Sequence, residues 1–504
     1  MIPVTSSDVS SNAEVVFLFS FPTEEQKEQL LKWLSADEAH LAVLVEEREE
    51  QFLALSFLFA GHLQVRLLFL RQIGEEDLKQ VCWEACLKRA AFIFAADCSE
   101  ERRLVGADFF ATLAHYQRGI DLLASDYSDL GMQIASNTFG NLKYLTKAKN
   151  GLSLQNAFQN VPAIICGAGA SLTAQLENLP EAMKCALVFA GGSAMQVFSA
   201  AGIFPHFISS IDPDPPYERF AAINSFAAPF FYQSRLSGQL LPLVQGELIW
   251  LPDNGGWGWE KAILQEAGVF EGGWTVATFC TAVASHLGCN PIIFLGMDLA
   301  FREERYAAGV THAIEEELVV VNGAEGEQLF SKRDWILSAE WLSEFARQHP
   351  GMAFWNASTG GLPISGVKNF SFIEVMQELT NFADLGGLVH AQLQKAQPAS
   401  YATAEELQEK SQRVVEGIVR IEGMCDALLE ICERLHPQPP FESGQYVLLE
   451  MDLEEDEIYQ KVFLPIWQVW QHLLRRSSPY PIADHLNRWL FLKRICRALR
   501  NSIE

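Results

Sequence analysis

Residues 161–172 read VPAIICGAGASL. A short β-branched run at Ile164 and Ile165 leads into Gly167-Ala168-Gly169-Ala170-Ser171, and a helix-like sequence follows. The order strand, glycine turn, helix start is that of an α/β unit with a place for an anion. Glycine lets the backbone turn tightly and come close to a ligand. The free N–H groups and the dipole at a helix start favour negative charge such as phosphate. A G-x-G-x-S turn also serves simply to turn a chain, so its meaning depends on what accompanies it.

Three more short apolar runs accompany it. Ala186 to Ala190 (ALVFA) is followed by Gly191-Gly192-Ser193, Phe207 to Ile211 (FISSI) by Asp212-Pro213, and Pro291 to Leu295 (PIIFL) by Gly296-Met297-Asp298. None alternates polar with apolar, which fits parallel strands buried on both faces. In open α/β sheets the ligand lies outside the carboxyl ends of the strands. Gly167, Gly169, Ser171, Gly192, Ser193, Asp212 and Asp298 are therefore expected to share one rim. Either aspartate taken alone reads first as a turn or helix cap; the four strand ends taken together read as a site. Thr275 stands before a helix-like run, Val276 to Leu287, as an N-cap that also offers a phosphate or sugar contact.

The chain has 504 residues, 49% of them hydrophobic, enough for two or three domains. Residues 14–98 alternate strand-like and helix-like stretches, which implies a small N-terminal α/β domain over 1–98. It has no glycine-rich phosphate turn and reads as a structural or specificity domain. Residues 99–150 read as a helical connector, 151–372 as a Rossmann-like parallel-sheet core, and 373–504 as a C-terminal helical bundle. Within the core, 213–262 is an insertion rich in aromatics, proline and glycine. Its segment PDNGGWGW (252–259) reads as a lid or acceptor loop, or as a plain surface loop pinned by its tryptophans. The last helix carries Arg488, Lys493, Arg494, Arg497 and Arg500, a basic cluster read as paired with acidic neighbours in its own bundle or, less simply, as a docking surface.

A formal net charge of −26 argues against a main role in holding a nucleic-acid backbone, though not against a local nucleotide pocket. No apolar run reaches the length of a membrane span. The start of the sequence lacks the basic and apolar regions of a signal peptide, and the ten scattered cysteines suit a reducing compartment. The expected location is the cytoplasm. The Rossmann dinucleotide fingerprint lacks its third glycine, which argues against an oxidoreductase.

Five segments in order, CGAGASL (166–172), ALVFAGGSAMQVFSAAGIFPHFISSIDPDP (186–215), GGWTVATFCTAVASHLGCNPIIFLGMDLAF (272–301), RYAAGVTH (305–312) and NASTGGLPISGV (356–367), resemble the core of the motility accessory factor family of flagellin glycosyltransferases. They are similar also to the MptE-like 6-hydroxymethylpterin pyrophosphokinases. The resemblance covers about 135–370, with a family-like lead-in at NTFGNLKYL (137–145). One position departs from the family pattern, which usually has proline before the serine of the first turn. Here it is Ala170, which loosens the turn and keeps its N–H groups.

The resemblance implies a nucleotide-activated donor: a CMP-sugar whose nonulosonic, sialic-acid-like sugar goes to Ser or Thr of a protein, or ATP whose pyrophosphate goes to a pterin. A non-catalytic nucleotide-binding assembly or chaperone protein is the reading from another class. Gly167, Gly169 and Ser171 are expected to hold phosphate, with Gly192, Ser193 and Thr275 completing the nucleotide side. Asp212 and Asp298 either hold a divalent ion, Mg2+ or Mn2+, or accept from sugar or pterin groups. His312, in RYAAGVTH, is the candidate base. Tyr306, Asn356, Ser358 and Thr359 are the candidate substrate contacts.

Overall fold

The computed structural model describes residues 13–37, 39–216, 224–253, 259–264, 268, 270–302, 318–324, 326–382, 384–436, 438–471 and 481–503. The chain divides into two compact units, 1–128 with 467–479, and 129–466 with 480–504. The expected helical connector is one continuous helix, Glu100–Leu145, and the division between the units falls within it.

The first unit holds a parallel sheet in the order β3-β2-β1-β4, formed by β1 (Val15–Phe19), β2 (Leu41–Glu46), β3 (Val65–Phe69) and β4 (Ala90–Phe94). The strand order reverses between β1 and β4, where an open α/β sheet has its ligand crevice. The chain's own side chains fill that place. Thr23 and Gln26 form a capping box at the start of the helix Glu24–Ala36. Gln26 then donates from Nε2 to Phe94 O (3.0 Å) and accepts at Oε1 from Ala96 N (2.9 Å). Beside it Arg102 donates to Ser20 Oγ, Glu46 Oε1 and Glu47 Oε1, each at 2.6 Å.

The second unit is built on nine parallel strands in the order β15-β14-β11-β6-β7-β8-β9-β10-β5. They are β5 (Lys149–Asn150), β6 (Ala163–Cys166), β7 (Leu187–Gly191), β8 (Phe207–Ser210), β9 (Phe230–Tyr232), β10 (Leu248–Trp250), β11 (Ile292–Leu295), β14 (Phe354–Asn356) and β15 (Lys368–Asn369). An antiparallel ribbon, β12 (Val319–Asn322) with β13 (Gln328–Ser331), stands apart from the sheet. The central strands serve two cores. Ala163, Ile165, Phe189, Ile292 and Phe294 pack on one face, and Ile164, Cys166, Val188, Ile293 and Leu295 on the other. This double burial is why the sequence shows no polar alternation.

The four strand runs of the core sequence are β6, β7, β8 and β11. The insertion at 213–262 adds β9 and β10 to the sheet, two strands the sequence reading did not contain; residues 254–258 of its glycine-tryptophan segment lie outside the described residues. After the glycine turn the chain forms a 3-10 helix, Ala170–Asn178, in place of the expected α-helix. Only Leu172 of that stretch is buried, so no apolar stripe holds an α-helix against the sheet.

The C-terminal helices Ala404–Leu435 and Pro481–Ile503 pack as the periodicity predicts. Four of the five cations of the basic cluster are paired inside the bundle: Arg488 with Glu450 and Glu454, Lys493 with Asp426, and Arg497 and Arg500 with Glu422. All ten cysteines are buried and unbridged.

Candidate active site at the sheet switch point

From β6 the chain builds outward through β7, β8, β9 and β10. It then returns to β11 on the other side of β6 and goes on to β14 and β15. The reversal lies between β6 and β11, so the turns leaving these two strands face the crevice. The turns interlock. Gly167 N donates to Leu295 O (2.8 Å) and Gly169 N to Gly296 O (2.9 Å). A Cβ on Gly167 would lie 2.3 Å from Gly296 O, and one on Gly169 would lie 2.4 Å from Asp298 Cγ. The glycines are required by this close approach of one turn to the other.

Asp298 closes the lock. Ser171 N donates to its Oδ2 at 2.9 Å, and Ser171 Oγ donates to its Oδ1. Asp298 is 7% exposed. Burial pushes its pKa up, against the two hydrogen bonds from Ser171, which pull it down. Both carboxylate oxygens are thus engaged by the glycine turn. The N–H groups of Gly167, Gly169 and Ser171 and the Ser171 hydroxyl are in turn taken up by acceptors on β11 and the turn that leaves it. Among the described residues, the N–H groups of Ala168 and Ala170 carry no hydrogen bond, and both alanines are half-buried. The donors left for an anion are those of the intervening alanines.

A third turn rests on the same aspartate. Leu362 N donates to Asp298 O (2.9 Å), and a Cβ on Gly361, where φ is +85°, would sit 2.1 Å from that oxygen. Ser358 Oγ accepts from Met297 N (2.8 Å), and Asn356 Oδ1 accepts from Ser358 N (3.0 Å). Asn356 and Ser358 therefore hold the rim together, while Thr359 is exposed.

On the other side of the glycine turn, Gly191 meets the start of the helix Val276–His286. A Cβ on Gly191 would be 2.2 Å from Val276 Cγ1. Thr275 caps this helix with Thr278 in a capping box and accepts from Ser338 Oγ at 3.3 Å. The positive end of an 11-residue helix thus lies beside the end of β7. Gly192 turns the chain into the helix Ala194–Ala201, where Ser193 sits at the N-cap without a side-chain cap bond. Asp212 Oδ1 accepts from Asp214 N (3.1 Å), and Asp212 O accepts from Ser237 N (3.1 Å). Tyr306 and His312 lie outside the described residues. Among those described, no three His, Cys, Asp or Glu side chains gather as a metal ion would require.

Two groups at the ends of β9 and β10 escaped the sequence reading. Glu260 is buried, accepting from Asp253 N (2.7 Å) and Trp250 Nε1 (3.4 Å). Burial and the nearby Asp253 charge raise its pKa to about 7. The Tyr232 hydroxyl is buried and has no hydrogen-bond partner among the described residues. Neither lies in a recognisable motif, and strands of three residues leave no periodic signal.

Residues 136–304 match the family model described as 6-hydroxymethylpterin diphosphokinase MptE-like. The match spans β6 to β11, with both interlocked turns and the helix Val276–His286. Among solved structures, the MAf glycosyltransferase from Magnetospirillum magneticum AMB-1 is similar over 97% of this chain and 74% of that one, with a TM-score of 0.55 and 16% identity. At that identity the likeness is one of fold, and it extends well beyond the MptE-like segment. No curated protein matches the chain. Among the described residues no helix is long and apolar enough to cross a membrane.

Proposed function

We propose that this chain is a nucleotide-dependent glycosyltransferase. In this reading it moves a nonulosonic, sialic-acid-like sugar from a CMP-activated donor to a Ser or Thr hydroxyl of a protein such as flagellin. The observation that carries the reading is the interlocked pair of turns at the switch point, with the Ala168 and Ala170 N–H groups to spare and a helix N-terminus beside β7. The fold shared with the MAf glycosyltransferase supports it. In the transfer, the acceptor oxygen bonds to the anomeric carbon as that carbon's bond to phosphate breaks, and CMP leaves with the charge on its phosphate. Fixed N–H donors aimed at that charge stabilise it without reorganising. The acceptor proton goes to a base, for which Asp212 and His312 are the proposed groups. Asp212 is also the rim carboxylate proposed to meet a Mg2+ or Mn2+ ion carried in on the nucleotide. Asp298 serves as the latch that shapes the turn. Tyr306, Ser193 and Thr359 are proposed to contact the substrate.

The description of the matching family model favours a second reading, pyrophosphate transfer from ATP to a hydroxymethylpterin. The model covers about a third of the chain, and the remainder offers surface that a protein acceptor would use and a pterin would not. Thermal shifts with CMP and with ATP, each with and without Mg2+ or Mn2+, separate the two. A ligand at about 100 times its Kd adds roughly 2.7 kcal/mol. A CMP shift that is lost in Gly169→Val, which displaces Asp298, supports the glycosyltransferase. A shift with ATP and metal alone supports the pyrophosphokinase, and no shift with either overturns both.

A further inference from the structure

The helix Glu100–Leu145 carries two asparagines, Asn137 and Asn141, at i and i+4 and so on one face. Their side chains are buried, 5% and 1% exposed. Asn137 Nδ2 donates to Pro213 O (2.8 Å) and Arg235 O (2.9 Å). Asn141 Nδ2 donates to Ser234 O (3.0 Å) and Leu236 O (2.7 Å). One of these carbonyls is on the segment leaving β8 and the others are on the segment leaving β9. The two segments are tied to each other by the bond from Ser237 N to Asp212 O. Two amides on one rigid helix thus fix both stretches of rim that follow β8 and β9, including the one that carries Asp212.

This arrangement is costly. With its Nδ2 committed to two carbonyls, Asn141 leaves Oδ1 buried and without a partner among the described residues. Ser210 Oγ and Tyr232 OH, on register-paired residues of β8 and β9, are also buried and unpartnered. Buried polar atoms are nearly always paired with protein or ordered water, and each exception calls for an explanation. By contrast, the turns after β6 and β11 hold each other, through Gly167, Gly169 and the bonds from Ser171 to Asp298.

We propose that Asn137 and Asn141 are positioning residues: they set the rim after β8 and β9, and thereby the part of the cleft that takes the sugar of the donor rather than its phosphate. This rests on the glycosyltransferase reading of the site. The test uses full-length Asn137→Ala and Asn141→Leu. The leucine variant removes the orphaned oxygen along with the clamp and guards against simple loss of folding. Hydrogen exchange, which reports local opening, is followed by mass spectrometry. Affinities are measured for CMP and for a CMP-activated nonulosonic sugar.

Exchange is expected to quicken in peptides covering 211–216 and 233–240 and to stay unchanged in 163–172 and 292–299. The Kd for CMP should hold within about twofold, while that for the CMP-sugar rises roughly tenfold, the equivalent of 1.4 kcal/mol. Unchanged exchange in both rim segments overturns the proposal. So does quickening across the whole sheet, or an equal loss of affinity for both ligands, since each marks a merely structural role. If the wild type binds neither ligand and the rim segments alone loosen, the clamp stands and the glycosyltransferase reading falls.

Discussion

Ala170 shows how one side chain changes what a turn can bind. Gly169 has φ −64° and ψ 157°, the extended conformation that a following proline demands. Ala170 N–H has no partner to lose. Proline therefore fits at 170, and Ala170→Pro should leave the fold intact, with stability unchanged or raised by about 0.5 kcal/mol through a stiffer unfolded chain. It also removes one of the two spare donors in the turn. Nucleotide affinity measured by calorimetry should fall while the melting temperature does not. Glu260 gives a prediction of another kind. Its folded pKa of about 7 lies above the ordinary 4.5, so the folded state holds a proton that the unfolded state has released. Its contribution is fully present below about pH 4.5 and is lost as pH rises through 7. Glu260→Gln should be more stable than the wild type at pH 8, by up to roughly 3 kcal/mol, and similar to it at pH 4. Chemical denaturation at the two pH values checks this.

Elements in this protein do their work at their ends. The helix Val276–His286 is fixed at the rim by Thr275, whose hydroxyl accepts from Thr278 N and Ser338 Oγ. Thr275→Ala should cost about 1 kcal/mol of stability, read by denaturant melts, and should weaken anion binding as that first turn frays. The sequence showed this helix and its cap, and it showed β6, β7, β8 and β11, because each is an apolar run closed by glycine or aspartate. It did not show β9 and β10. FFY and LIW are too short for a period to register, and the prolines and glycines around them signal loop. They are strands because β8 offers an unpaired edge, and no local residue carries that information.

At the scale of the molecule, two units with parallel sheets treat their switch points differently. In the first, Gln26 bridges the crevice and Arg102 neutralises Glu46, a carboxylate with no exposed surface. Burial works to raise the Glu46 pKa, but hydrogen bonds from Arg48 and the charge of Arg102 outweigh it and hold it below its ordinary 4.5. That stabilisation is present above pH 4.5 and lost as pH falls through the lowered value. Arg102→Ala leaves Glu46 with Arg48 alone and should cost about 3 kcal/mol. The loss should appear in one step of a two-step unfolding curve, since two compact units need not melt together. In the second unit the turns leaving β6 and β11 bond to each other, through Gly167, Gly169 and the pair Ser171 and Asp298, and leave the N–H groups of Ala168 and Ala170 without a bond among the described residues.

The sequence alone determined the α/β class, the parallel core and the bundle at the end, and it marked the strand ends that carry Gly167, Ser171, Gly192, Asp212 and Asp298. Strand periodicity and the residues at strand ends are local properties, written in consecutive positions. The tertiary structure decided what those residues do there. Asp298 is a latch for Ser171, and the spare N–H groups belong to Ala168 and Ala170. Asn137 and Asn141 reach across about a hundred residues to hold the rim. Hydrogen-bond partners so far apart in the chain are set by the order of strands in the sheet, which no window of sequence contains.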